Sequence, residues 1–158
     1  MAGTLQISSP AFAQNEAIPA KYTADGENIS PPLEISSDSD EAESLVLIID
    51  DTDAATDPHG PGKVYDHWVV FNIPPDTTYI AEGNVPSGAI QGANGAGQSR
   101  YTGPAPPTGT HRYSFRLYAL RGELTLDHTA TKEDVQEAME PILISQAELV
   151  GTYRRPGA

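Results

Sequence analysis

Short apolar runs separated by turn-forming residues dominate this chain. Leu45 to Ile49 is continuously apolar, rich in β-branched residues and too short for a helix, so it predicts a buried strand that ends at Asp50-Asp51. His67-Trp68-Val69-Val70-Phe71-Asn72-Ile73-Pro74 predicts another strand, opened by His67. A third opens at His111. Here the alternation is clearest: Tyr113, Phe115, Leu117 and Ala119 fall on one face, and Ser114, Arg116 and Tyr118 on the other. Leu5-Gln6-Ile7 alternates like an edge or early strand, and Pro31-Pro32 and Pro74-Pro75 punctuate the chain.

Helical spacing is confined to the carboxyl end. Thr131 with Asp134 three residues on forms a capping pattern, and Val135, Ala138, Met139 and Ile142 recur at helical intervals. Pro141 interrupts the run and is tolerated only in a first turn, which predicts two short helices, about 132–139 and 141–150. The second would bury Leu143, Ala147 and Val150. With 14 prolines and 14 glycines among short spaced strands, the expected fold is mostly β, two packed antiparallel sheets with short C-terminal helices, not a βαβ fold. A length of 158 residues suits a single domain, 1–158, with its own core.

Charge narrows the partners. Twenty-two acidic against nine basic residues give a net charge of −13, which repels polyanions and argues against nucleic acid and against an anionic membrane surface. Lys21, Lys63 and Lys132 are the only lysines, a balance also seen in salt-adapted proteins. Without cysteine the chain has neither disulfides nor thiolate metal sites. No signal-like segment or run of about 18 apolar residues appears, so the expected location is the cytoplasm, without stable membrane insertion.

Chemistry concentrates at strand ends. If the strands at 45–49 and 67–73 are antiparallel neighbours, Asp51 and His67 share one edge of the sheet. The segments from Asp51 to Asp66 and from Ile80 to Gly109 are long for a compact domain, and the prolines of Gly103-Pro104-Ala105-Pro106-Pro107 favour a rigid wall. Both segments are therefore expected to form a site. Tyr113 shares a face with His111, whereas Arg112 points the opposite way and is expected to pair with an internal carboxylate. Asp53 reads as a turn or ion-pair residue, and His59 and His128 as surface residues. Asp51 could instead simply accept turn amides, and His67 and His111 could be half-buried histidines bonded to backbone.

Taken together, Asp51-Thr52-Asp53-Ala54, then His67-Trp68-Val69-Val70-Phe71-Asn72-Ile73-Pro74, then Gly103-Pro104-Ala105-Pro106-Pro107-Thr108-Gly109-Thr110-His111-Arg112-Tyr113, resemble the phosphatidylethanolamine-binding protein family, in particular its bacterial and archaeal Raf-kinase-inhibitor-like branch. Ser9-Pro10-Ala11-Phe12, Asp25-Gly26-Glu27-Asn28 and Ala147 to Tyr153 fit the same pattern, so the likeness spans nearly the whole chain. The resemblance implies a small pocket for phosphate and related anions, including phospholipid head groups, at Asp51, Ala54, His67, Gly103, Pro106, His111 and Tyr113. It implies no cofactor and no metal, and a homodimer as in bacterial relatives. The chain departs from the family where Thr52 and Ala55 replace prolines, where Asn94-Gly95-Ala96-Gly97 replaces Asn-Asp-Phe-Gly, and where Ala105 replaces a cysteine.

Three functional classes follow. The first is a noncatalytic protein that binds a small phosphorylated or anionic ligand and regulates a kinase or hydrolase. The second is an inhibitor module that docks a kinase or protease, with an incidental pocket. The third is a metal-assisted hydrolase using Asp51, His67 and His111, against which stands the lack of a short-spaced ligand motif or a nucleophile elbow.

Overall fold

The computed structural model describes residues 4–156, and among them eight strands form two antiparallel sheets. The smaller sheet has the order β1-β2-β5, from β1 (Leu5–Ser8), β2 (Leu33–Ser37) and β5 (Tyr79–Ile80). The larger has the order β6-β4-β3-β7-β8. It comprises β3 (Ser44–Asp51), β4 (Tyr65–Ile73), β6 (Ile90–Gln91), β7 (His111–Leu120) and β8 (Leu143–Tyr153). All of β3 is buried, as its unbroken apolar run requires for a central strand covered on both faces.

Alternation along β3 and β7 divides the core in two. Leu45, Leu47, Ile49, Tyr113, Phe115, Leu117 and Ala119 meet the smaller sheet, with Leu5, Ile7, Leu33 and Ile35 opposite. Val46, Ile48, Tyr118 and Leu120 face the other way, under α1 (Lys132–Met139), which contributes Val135 and Met139. Thr131 caps α1 in a full capping box: its side chain accepts from Asp134 N, and the Asp134 carboxylate accepts from Thr131 N. The two-faced β7 and the first helix thus match the sequence pattern.

The second expected helix, 141–150, does not form. Pro141 lies in a 3-10 turn, Glu140–Ile142, and the chain then runs as β8, paired along its length with β7 from Leu120↔Leu143 to His111↔Tyr153. The physical period is two: Leu149, Gly151 and Tyr153 are buried on one face, whereas Gln146 and Glu148 are exposed. Leu143, Ala147 and Val150 fit a helical stripe only by coincidence of spacing. Without β8 the backbone of β7 would lack a partner on that side.

Candidate functional site

A cavity of about 440 Å³ opens where β3 and β4 meet at the rim. Its walls come from three separated segments: Ala24 and Asn28; Asp51, Ala54, His59, Gly60, Pro61, Tyr65 and His67; and Thr102, Gly103, Ala105 and Pro107. Both long segments singled out in the sequence therefore form walls. The amino-terminal contribution, Ala24 and Asn28, was not anticipated.

A bulge in β4 aims His67. Ile49 pairs with Trp68, yet Asp50 pairs with Asp66, so the register slips by one residue at His67. In a regular strand His67 would take the face opposite Trp68. The extra residue instead lets Trp68 enter the core against the smaller sheet while His67, with Tyr65, joins the Asp51 side. The His67 Nδ1–H donates to the carbonyl of Thr102 at 2.6 Å, and Thr102 N–H returns a bond to the His67 carbonyl at 3.0 Å. That fixes the tautomer and leaves Nε2 without a hydrogen bond among the described residues. Burial holds the pKa of His67 below its ordinary value, outweighing the Thr102 carbonyl and the Asp51 charge, so the ring is neutral at pH 7.

Behind this ring lies a second, charged constellation. His111 is bracketed, Nδ1 to Asp51 Oδ2 at 2.6 Å and Nε2 to Asp57 Oδ2 at 2.7 Å. The burial of His111 works to lower its pKa, but the two carboxylates outweigh it and the net shift is upward. Each ring nitrogen donates. Asp57 also accepts from the Thr108 hydroxyl at 2.6 Å and from His59 N at 2.9 Å, which hold its pKa far below the carboxylate range. The imidazolium thereby ties the loop after β3 to the proline loop before β7. Asp51 caps the 3-10 turn Thr52–Ala55 by accepting from Ala54 N, so its turn role and its place in the cavity hold together.

Gly103 and Asn28 make the remaining joint. Gly103 N donates to Asn28 Oδ1 at 2.6 Å, and a Cβ on Gly103 would stand 2.7 Å from the Tyr22 carbonyl. Only glycine fits there. Asn28 itself has φ +59°, a left-handed position that asparagine tolerates.

Of the sequence-derived site residues, Asp51, Ala54, His67 and Gly103 line the cavity. Pro106 is buried in the proline loop, and its neighbours Ala105 and Pro107 face the space instead. His111 and Tyr113 stand behind the wall. His111 stacks at 6.5 Å on Tyr113, whose ring meets His67 edge-on at 5.3 Å. Burial and the Asp51 charge push the Tyr113 phenol upward, and its buried hydroxyl has no hydrogen-bond partner among the described residues. Arg112 is exposed and chelates Asp53 through Nε (3.1 Å) and Nη2 (2.8 Å), the ion pair expected of both, on the surface and not inside. His59 is exposed as expected but sits at the cavity mouth, and His128 is exposed.

Two departures have visible consequences. The turn after β3 forms without the family prolines, because Asp51 caps it and Asp53 anchors it to Arg112. In the glycine segment, Asn94 is buried and bonds Ala96 N, Gln98 N and the Arg100 carbonyl, while a Cβ on Gly95 would fall 2.8 Å from the Tyr65 ring. This segment braces the cavity wall. Among the described residues no group of three acidic, histidine or cysteine side chains is arranged to hold a metal ion, and both nitrogens of His111 are spent on carboxylates.

Comparison with known proteins agrees with this architecture. The family model for phosphatidylethanolamine-binding protein matches residues 8–154. A UPF0098 protein of the archaeon Methanothermobacter thermautotrophicus is 50% identical over 96% of this chain and 99% of its own length. The crystal structure of a phosphatidylethanolamine-binding protein homologue from Chlamydia trachomatis superposes with a TM-score of 0.88 at 42% identity, covering 96% of this chain and 98% of that one. Escherichia coli YbcL superposes with a TM-score of 0.84 at 26% identity, with the same coverage. With its sandwich, its rim cavity and its relatives in bacteria and archaea, the chain belongs to the phosphatidylethanolamine-binding protein family.

Proposed function

We propose that this chain is a noncatalytic binding protein whose rim cavity takes a phosphate-type anion or a phosphorylated head group. The observation that carries the reading is the His67 ring, locked by Thr102 with its unprotonated Nε2 left for the cavity. No lysine or arginine lines that space, and the nearest fixed charges alternate as Asp51, His111 and Asp57. A dianion gains little there. A phosphate monoanion keeps one P–OH, which donates to Nε2, while its oxygens accept from neutral donors such as the Tyr65 hydroxyl. The ammonium of phosphoethanolamine complements the Asp51 carboxylate. Both loops that close the cavity form the rim, so a kinase or protease partner docked there would sense its occupancy.

The pH dependence tests this. The second ionisation of a phosphate monoester lies near 6, so the monoanion falls from about half of the total at pH 6 to about 1% at pH 8. Calorimetric titration of phosphoethanolamine should show affinity about 50-fold weaker at pH 8 than at pH 6, and His67→Ala should abolish the binding heat. Binding that strengthens with pH, or that survives the substitution in a folded variant, contradicts the reading.

A further inference from the structure

A second cleft, of about 220 Å³, adjoins the cavity across Asn28, which lines both. Its walls include Ile29, Trp68, Val85 and Tyr101, with Asn84, Gln91 and Arg100 as polar groups. No carboxylate lines it, a departure for a chain carrying 22 acidic residues. Other clefts carry acids: Asp51 in the cavity, Glu148 opposite Arg116 on β7 and β8, and Asp53 with Asp57 beside His111.

Arg100 is the one basic side chain of this cleft. Lys21, Arg112, Arg116, Arg121, Lys132 and Arg155 all lie within ion-pair distance of carboxylates. Among the described residues Arg100, like the exposed Lys63 in the loop after β3, lies within ion-pair distance of no carboxylate; its Nε donates to Gln98 Oε1 at 2.9 Å, and its terminal nitrogens have no acceptor. The neighbouring acid Glu82, next to Gly83 of the cleft wall, is held by Lys21 at 2.7 Å and by the Tyr22 hydroxyl at 2.8 Å. Trp68 fixes the opposite wall, its indole N–H donating to Gln91 Oε1 and its ring meeting Tyr101 edge-on at 5.7 Å.

We propose that this cleft is a second anion subsite, in which the free guanidinium edge of Arg100 accepts a carboxylate or phosphate with the amides of Asn84 and Gln91 as added donors. A guanidinium presents paired donors to two oxygens of either group, and the aromatic and aliphatic walls accommodate an apolar body next to the charge. The subsite stands apart from the His67 reading. If both are occupied, the ligand is elongated and acidic at the Arg100 end.

Trp68 is the one tryptophan of the chain and lines this cleft but not the cavity, so its indole N–H is a specific reporter. Nitrogen-15 spectra would be followed during separate titrations with inorganic phosphate and acetate, with chloride as the ionic-strength control. In the wild type, the Trp68 indole and Arg100 Nε–H signals should shift saturably with at least one of the two probes, and the preferred probe identifies the acid. In Arg100→Gln, an exposed substitution, the Trp68 response should fall to the chloride slope. An unmoved or non-saturating Trp68 signal in the wild type, or an undiminished one in Arg100→Gln, overturns the subsite. The Ala54 amide, which donates to Asp51 on a wall the second cleft does not share, reports the cavity separately, so failure of either site is read without the other.

Discussion

The imidazole of His111 is 3% exposed and sits between two carboxylates, so removing it leaves Asp51 and Asp57 facing a void. Breaking such a buried pair costs about 3 kcal/mol or more, or roughly 6–12 °C in melting temperature for a domain of this size. His111→Ala is therefore expected to lower the melting temperature by that amount, measured by calorimetry. A small loss would mean that water replaces the ring without penalty. The two histidines also oppose each other with pH. His111, raised in the fold, contributes stability that is complete below about pH 6.5 and is lost as pH rises through its folded pKa, whereas His67, lowered in the fold, costs stability as pH falls below about 6.5. The urea midpoint of the wild type should fall as pH rises above about 6.5, and His111→Ala should lose that decline. The position of His111 at a strand start was legible in the sequence. Its partner Asp57 was not, because an acid in an irregular loop carries no periodic signal.

Elements were legible where one period stands alone. β3 and β7 were plain from unbroken and alternating apolar residues, and the capping box located α1. Thr131→Ala is expected to cost about 1 kcal/mol by removing the acceptor for Asp134 N, read as a lower urea midpoint at unchanged slope. β8 was misread because Leu143, Ala147 and Val150 mimic a helical stripe and because pairing with β7 is a tertiary fact. The bulge at His67 was equally hidden: a register slip depends on both strands, and one sequence presents only their residues in order. Gly103→Ala belongs to the same scale. Its Cβ would press on the backbone of Tyr22 and on Asn28, so a loss of about 1–3 kcal/mol and a loosened proline loop are expected, measured by denaturation and by hydrogen exchange of the Gly103 amide.

For the whole molecule, packing and charge divide the work. The core on both faces of the larger sheet supplies the stability, while the −13 net charge acts against compactness. No described helix is long and apolar enough to cross a membrane. The walls of the cavity come from segments distant in sequence, and the family resemblance located the two that carry its known motifs, whereas Ala24 and Asn28 became visible only once the fold joined them to Gly103. The central claim concerns one atom, Nε2 of His67. Long-range proton–nitrogen spectra of the His67 ring, recorded at pH 6 with and without phosphoethanolamine, test it most directly. The free protein should show Nδ1 protonated and Nε2 bare, and saturating ligand should shift Nε2 toward a hydrogen-bonded or protonated nitrogen. A ring whose two nitrogens are unchanged by saturating ligand would contradict the account.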